Sequence, residues 1–211
     1  IEWLCQVGGQ LMLRRNKTVK YLCQIENRRH PSIWVTDYGK SELIKRRPDP
    51  LFLTFITFWI DIQILKKKNA EYLRQFLFDL CSASGADYGY FGMDQDVDNK
   101  NLLCGSDDLG DFQRFSGNDP EHGLPGIYWI NYFGKVYVDW FGRNKFGALN
   151  CYYKQELESG AYLVQTSEDP FYFETEESKI ASDIIKCLGE DAFFDIANPD
   201  KKCRTPFNSP R

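Results

Sequence analysis

The segment Gly126–Phe141 is the densest aromatic stretch of the chain, with Tyr128, Trp129, Tyr132, Phe133, Tyr137 and Trp140 inside it and Phe141 at its end. Rings at that density cannot all stay in water, because each buries a large apolar area. The fold must therefore close over this segment. Gly126–Phe133 reads as a strand or the start of a helix. Gly134–Phe141, with Val136, Tyr137, Trp140 and Phe141, suits a short helix. Aromatic residues make up 16% of the 211 positions. Most of these rings belong to the core, and a surplus can anchor an interface. A chain of this length buries roughly 70% of its unfolded surface, enough to be stable without metal or disulfides.

Other segments supply the partners of that core. Residues 1–15 read as a strand with a bend at Gly8-Gly9. Residues 17–28 place Val19, Leu22 and Ile25 on one helical face, and His30-Pro31 ends that segment. Ser41 is an N-cap for a short helix through Arg47. Leu51–Leu65 has strand composition, with Ile60, Ile62 and Ile64 alternating against Asp61 and Gln63. Asn69 caps a helix through Ser82 whose stripe is Tyr72, Leu73, Phe76, Leu77 and Leu80. Asp87–Met93 reads as a strand, and residues 94–125 as a long polar loop. Cys151–Glu156 and Ala161–Thr166 form a hairpin through Glu158-Ser159-Gly160. Thr175 caps a helix with Glu176 and Glu177 in its first turn, where acids complement the helix dipole. Its buried face is Ile180, Ile184, Ile185 and Leu188, and Gly189 follows its end. The tail from Asn198 is irregular. Strands and helices alternate without regular βα units or internal repeats. The expected fold is one α+β domain over residues 1–211, a mixed or mainly antiparallel sheet with helices packed on it.

Charge is unevenly distributed. Residues 1–80 hold 14 Lys+Arg and 8 Asp+Glu, whereas residues 81–211 hold 12 and 22. Within residues 81–121 there are 9 acids and 2 bases. Like charges packed this closely repel, and a basic surface or a cation would offset them. A solvated acidic loop is the plainer reading of the same residues. The basic runs Lys45-Arg46-Arg47 and Lys66-Lys67-Lys68 are flanked by turn or cap residues. They suit solvated loops better than a nucleic-acid groove in a chain of net charge −4.

No catalytic, cofactor or metal constellation emerges. The two histidines, His30 and His122, each sit beside turn residues, and no nucleophile-elbow pattern surrounds a Ser or Cys. No phosphate-binding glycine loop is present. Asp94-Gln95-Asp96-Val97-Asp98 begins like a calcium loop, but Asn99 stands where the turn needs Gly and Gly105 where the last ligand should be Glu. The seven cysteines have no two-residue spacing, which argues against structural zinc. They read as reduced thiols in a cytoplasmic protein. The longest apolar run, Leu51–Leu65, is too short and too polar to span a bilayer.

The string Gly123-Leu124-Pro125-Gly126-Ile127-Tyr128-Trp129-Ile130-Asn131-Tyr132-Phe133-Gly134 is distinctive. It is followed by Tyr137-Val138-Asp139-Trp140-Phe141-Gly142-Arg143, by Ser167-Glu168-Asp169-Pro170, and by Leu188-Gly189-Glu190-Asp191-Ala192-Phe193-Phe194. Together these resemble the bacterial immunity protein 52 family, over most of residues 30–207. The resemblance implies a protein of a polymorphic toxin system, without enzymatic activity or cofactor, that protects the producing cell by binding a cognate toxin. The toxin is then expected to be a nuclease with a restriction-endonuclease-like fold, often delivered by type VI secretion. A nuclease cleft is basic, because it must attract phosphates. The acidic segment is a candidate to occupy it, and Asp94, Asp96, Asp98, Asp107, Asp108 and Asp111 are the candidate partner-binding residues. Direct nucleic-acid or membrane binding is not expected. A hydrolase using unpaired acids, and a scaffold domain with no toxin partner, are the alternative readings.

Overall fold

The computed structural model describes residues 6–14, 32–37, 53–61, 70–107, 110–115, 123–171 and 176–207. Strands β1 (Gln6–Arg14), β2 (Ser32–Asp37) and β3 (Leu53–Asp61) come first. Helix α1 (Ala70–Ser84), strand β4 (Tyr88–Met93) and helix α2 (Asp94–Asn101) follow. Strands β5 (Leu102–Asp107) and β6 (Gly110–Phe115) form a separate two-stranded hairpin. Next come β7 (Ile130–Phe133), α3 (Lys135–Phe141), α4 (Arg143–Ala148), β8 (Tyr153–Glu156) and β9 (Tyr162–Gln165). Helix α5 (Glu176–Leu188) and a short 3₁₀ turn at Glu190–Ala192 complete the described elements.

The main sheet has seven strands in the order β2-β3-β1-β4-β7-β9-β8, and each described neighbour pair is antiparallel. The fold is α+β, as its sequence pattern requires. Side chains of a strand alternate between faces, and both faces of β4, β7 and β9 are covered. Tyr88 and Tyr90 of β4, Phe133 of β7, and Tyr162 and Val164 of β9 belong to one buried cluster, with α3, α4, α5 and the segment Leu124–Tyr128. Phe91 and Met93, Ile130 and Tyr132, and Leu163 belong to the other, under Leu73, Leu77 and Leu80 of α1. The aromatic segment lies between the two layers. Phe133 is fully buried and meets Phe146 at 5.1 Å and Tyr88 at 5.3 Å between ring centres.

The hairpin expected between Cys151 and Thr166 is present, with Tyr153 opposite Gln165 and Glu156 opposite Tyr162. Its turn is closed by Gly160 N–H donating to Leu157 O at 2.8 Å. On α1 the apolar stripe is buried at Leu73, Leu77 and Leu80, but Tyr72 is 49% exposed. On α5, Ile184 and Leu188 are buried, and Ile180 and Ile185 are partly so. Lys145 Nζ donates to Leu188 O at 2.8 Å, placing a cation on the last turn of α5.

Residues 94–125 differ from the long polar loop that their composition suggests. They contain a helix and a hairpin. The segment Gly123–Trp129 has no regular element beyond the bridge at Leu124, and the strand begins only at Ile130. Leu124 bridges Phe193 in parallel, with Leu124 N–H donating to Ala192 O and Phe194 N–H to Leu124 O. The tail after Asn198 has no helix or strand through Phe207, yet Cys203 and Thr205 are buried. The expected helices at residues 17–28 and 41–47, the caps at Asn69 and Thr175, both basic runs, and His30 and His122 lie outside the described residues.

Candidate partner-binding surface

Helix α2 begins where β4 ends, so the strand delivers the acidic segment to one end of the sheet. Its sequence, DQDVDNKN, holds a single apolar residue, Val97. Other forces make it helical. Asp94 and Asp96 stand in the first turn and Lys100 in the last, each beside the helix pole of opposite sign. Asp96 and Lys100 also pair across one turn at 2.7 Å.

That ion pair faces inward. The Asp96 side chain is 6% exposed and that of Lys100 29%. Lys100 Nζ also donates to Ile127 O at 2.7 Å and stands 4.7 Å from the centre of the Tyr128 ring. Burial pushes the Asp96 carboxyl above its ordinary range, against the pull of Lys100. Below the ammonium, Tyr90 and Tyr128 stack at 4.0 Å. The ring of Tyr128 lies over Gly92, where a Cβ would come within 2.9 Å of it. Asn101 donates to Tyr128 Oη and to Val97 O, and the Tyr128 hydroxyl reaches Pro125 O at 3.2 Å. Burial raises both tyrosine hydroxyls well above their usual pKa, so they remain protonated donors at any physiological pH.

Asn131 completes this network from β7. Its Oδ1 accepts from Tyr128 N–H at 2.9 Å and from Tyr88 Oη at 3.1 Å. Its Nδ2 donates to Tyr128 O at 2.7 Å and Val164 O at 3.4 Å. The polar atoms below α2 thus fasten the Pro125–Tyr128 segment to β4, β7 and β9.

Asp94, Asp98 and Asp111 do not share the inward position of Asp96. Asp94 is half-buried and Asp98 exposed, four positions apart on α2. Burial, then the carboxylate of Asp98, raises Asp94 to about 6. Burial also raises Asp98. Neither carries an ion pair among the described residues. Helix α2 packs against β5 and β6, which brings the hairpin beside it. There Asp111 is exposed and accepts a hydrogen bond from Ser106 Oγ. Asp107 closes β5 opposite Gly110, and Asp108 lies outside the described residues. The structure therefore turns Asp96 into the fold and leaves Asp94 half-exposed and Asp98 and Asp111 exposed.

Lys100, Tyr128 and Asn131 hold this surface in place; Lys100 is marked in the sequence only by its spacing of four from Asp96, and Tyr128 and Asn131 by no charge or spacing signal. Exchanging Lys100 for methionine leaves Asp96 buried without its cation. The expected loss is about 2–3 kcal/mol at pH 7. The Asp96 pKa, already raised in the fold, would rise further. Below the unfolded carboxylate range, about 3.9, Asp96 is protonated in both states and its share of the loss should vanish, leaving the share due to the lost bond to Ile127 O. Urea unfolding of both proteins at pH 7 and pH 3.5 checks this. Equal losses at the two values would contradict it.

The strings that carry the family resemblance meet around this core. Trp129 Nε1 donates to Ser167 O at 3.0 Å, and Leu124 pairs with Phe193. Their composition thus has a packing cause of its own. Cys81, Cys104, Cys151, Cys187 and Cys203 are free thiols. Among the described residues no group of three or more His, Cys, Asp or Glu side chains is gathered to hold a metal ion, and no helix is long and apolar enough to cross a membrane. No family model, curated protein or solved structure matches the chain.

Proposed function

We propose that this chain is an immunity protein that neutralises a cognate protein toxin by binding it in the cytoplasm of the producing cell. The contact surface is the outer side of α2 with the β5–β6 hairpin, and the partner presents a basic face, as the cleft of a nuclease does. One observation carries this reading. Asp94 and Asp98 lie four residues apart on a helix, and both carboxyls are raised toward protonation. Among the described residues they have no ion-pair partner. Like charges so placed destabilise a helix, and a cationic partner would relieve them.

The same geometry sets a pH dependence. Asp94 is raised to about 6 in the free protein. A partner cation favours the charged form, so Asp94 must titrate lower in the complex. Binding below pH 6 expels a proton, and affinity should rise with pH through that value and level off above it. For the free fold the sign is opposite. A carboxyl raised on folding makes stability fall as pH rises from about 3.9 to 6. Asp94→Asn should therefore stabilise the free protein at pH 7, by about 1 kcal/mol after allowance for solvent screening of a half-exposed group.

The test takes as partner the product of a neighbouring nuclease-toxin gene. Calorimetric titration with the Asp94→Asn, Asp98→Asn, Asp111→Asn triple variant should show affinity weaker by about 10- to 100-fold and a shallower salt dependence. Co-expression should show weaker rescue of growth. Unchanged affinity in a folded variant would remove this surface from the interface. One feature speaks for the hydrolase alternative: a half-buried carboxyl titrating near neutrality is also how a general acid is made. Hydrolytic activity in the purified protein that Asp94→Asn abolishes would favour that reading instead.

A further inference from the structure

Strand β8 closes one end of the seven-stranded sheet, and among the described residues no strand lies on its outer side. The pairing fixes which of its backbone groups face outward. Leu157 N–H donates to Ala161 O at 2.9 Å, in register with the pairs Gln155–Leu163 and Tyr153–Gln165. Hydrogen-bonded pairs alternate along an antiparallel ladder, so Tyr153 and Gln155 bond to β9. The other side of β9 agrees. Thr166 N–H donates to Trp129 O at 2.9 Å, which turns Thr166, Val164 and Tyr162 toward β7 and leaves Gln165 and Leu163 for β8. The N–H and C=O groups of Lys154 and Glu156 therefore point away from β9, and among the described residues no backbone group meets them.

Natural edge strands are usually guarded by proline, by bulges or by lysines that stand over the edge. Strand β8 contains no proline, and its register from Tyr153 to Glu156 is unbroken. Its lysine does not stand guard. Lys154 Nζ is turned back onto α4 and its end, donating to Gly147 O and, at 2.8 Å, to Leu149 O. Glu156 is held in the same way, by Arg143 and by the Tyr162 hydroxyl, which donates to it at 2.8 Å. The long side chains are thus fastened to the fold, while Lys154, Gln155 and Glu156 remain exposed. The run Lys154-Gln155-Glu156 is also its own complement when read antiparallel. With Gln155 on a two-fold axis, Lys154 of each copy lies opposite Glu156 of the other. Both are outward-bonding positions, so each such match supplies a pair of backbone hydrogen bonds. The neighbouring two-fold registers set lysine against lysine or glutamate against glutamate, which is unfavourable.

We propose that β8 pairs antiparallel with β8 of a second copy of this chain, joining two seven-stranded sheets into one across a two-fold axis at Gln155. The backbone carries the contact, and the charges choose its register. This edge shares no residue with α2 or the β5–β6 hairpin, so the proposal does not rest on the toxin reading. A ladder of four residues is far smaller than a standard interface of about 1,600 Å². The dimer is therefore weak, with a dissociation constant of about 0.1–1 mM.

Sedimentation of the intact chain between about 20 µM and about 2 mM, read together with amide hydrogen exchange, gives the test. Sedimentation should show a reversible monomer–dimer equilibrium. As concentration rises, the amides of Lys154 and Glu156 should exchange more slowly, by about twofold or more. Those of Tyr153 and Gln155, bonded to β9 at every concentration, should not change. Lys154→Pro removes an outward donor where an edge strand tolerates proline, and should weaken the dimer by about tenfold or more. Lys154→Ala keeps the donor and should stay within about threefold of the parent. A chain that sediments as a monomer throughout would overturn the proposal. So would a dimer in which Lys154 and Glu156 exchange no more slowly, or one that the two variants weaken alike. The exchange result needs only the parent chain, so it decides the matter even where Lys154→Pro fails to fold.

Discussion

Exchanging Asn131 for leucine is expected to cost about 3–4 kcal/mol, a large share of the 5–15 kcal/mol that holds a typical domain together. The size follows from what the amide satisfies. Asn131 is fully buried on β7. It takes the Tyr128 N–H at 2.9 Å and gives to Tyr128 O at 2.7 Å, so it acts as a side-chain substitute for strand pairing just before β7 begins. Leucine has similar volume but leaves the Tyr128 N–H buried without a partner, which costs about 1–3 kcal/mol by itself. The Tyr128 carbonyl would keep only the long 3.4 Å bond from Thr166 Oγ1. Tyr88 suffers less, because its hydroxyl also donates to Gly126 O at 2.7 Å. Tyr88→Phe should accordingly cost only about 1 kcal/mol. Urea unfolding of the two variants provides the comparison. A loss below about 1 kcal/mol for Asn131→Leu would mean that the network contributes no more than an ordinary surface hydrogen bond.

The second large effect is expected at Gly134. Its backbone is extended, at φ −65° and ψ 163°, so any residue could adopt it. The obstacle is contact. A Cβ there would stand 2.7 Å from Ala86 O, 2.8 Å from Asp87 O and 3.0 Å from Asp87 Cα. All three are backbone atoms, and Gly134 N–H is itself bonded to Asp87 O at 2.8 Å. No flexible side chain can give way. Gly134→Ala should lose about 2–3 kcal/mol through forced displacement of the segment before β4. Gly147 in α4 is the control, since a Cβ there meets nothing within 4 Å. Gly147→Ala should be neutral or stabilise by up to about 1 kcal/mol, the helix preference of alanine. If the two variants melt together, the crowding at Gly134 is not real.

The parts of the fold legible in the sequence are those with a repeating apolar signal. Helices α1 and α5 show stripes, β4 follows a glycine, and the β8–β9 hairpin carries its turn residues Glu158-Ser159-Gly160 between two short runs. Residues 94–115 were not legible as helix and hairpin. Only Val97 marks the buried side of α2, and the forces that form it are a dipole, one ion pair and contact with hydrogen-bonded tyrosines. None of these has a period. The acidic candidates were located by charge alone, and charge does not tell inside from outside. Asp96 shares a side of α2 with Lys100, which the buried Ile127 carbonyl draws inward. Asp94 and Asp98 lie on the other side. That distinction needs the position of residue 127, about thirty places away in the chain. Asn131 was quoted in the aromatic string, yet its role depends on contacts with β4 and β9.

The strand order has a consequence for how the chain is made. Strands β1, β3 and β2 join the rest of the sheet through the pairing of β1 with β4. During synthesis the three N-terminal strands leave the ribosome first, and β1 has no inner neighbour until Met93 has emerged. An unpaired strand edge in a nascent chain invites pairing with other chains. For this topology the hazardous interval is translation itself, and a slower passage through residues 62–93 would lengthen it.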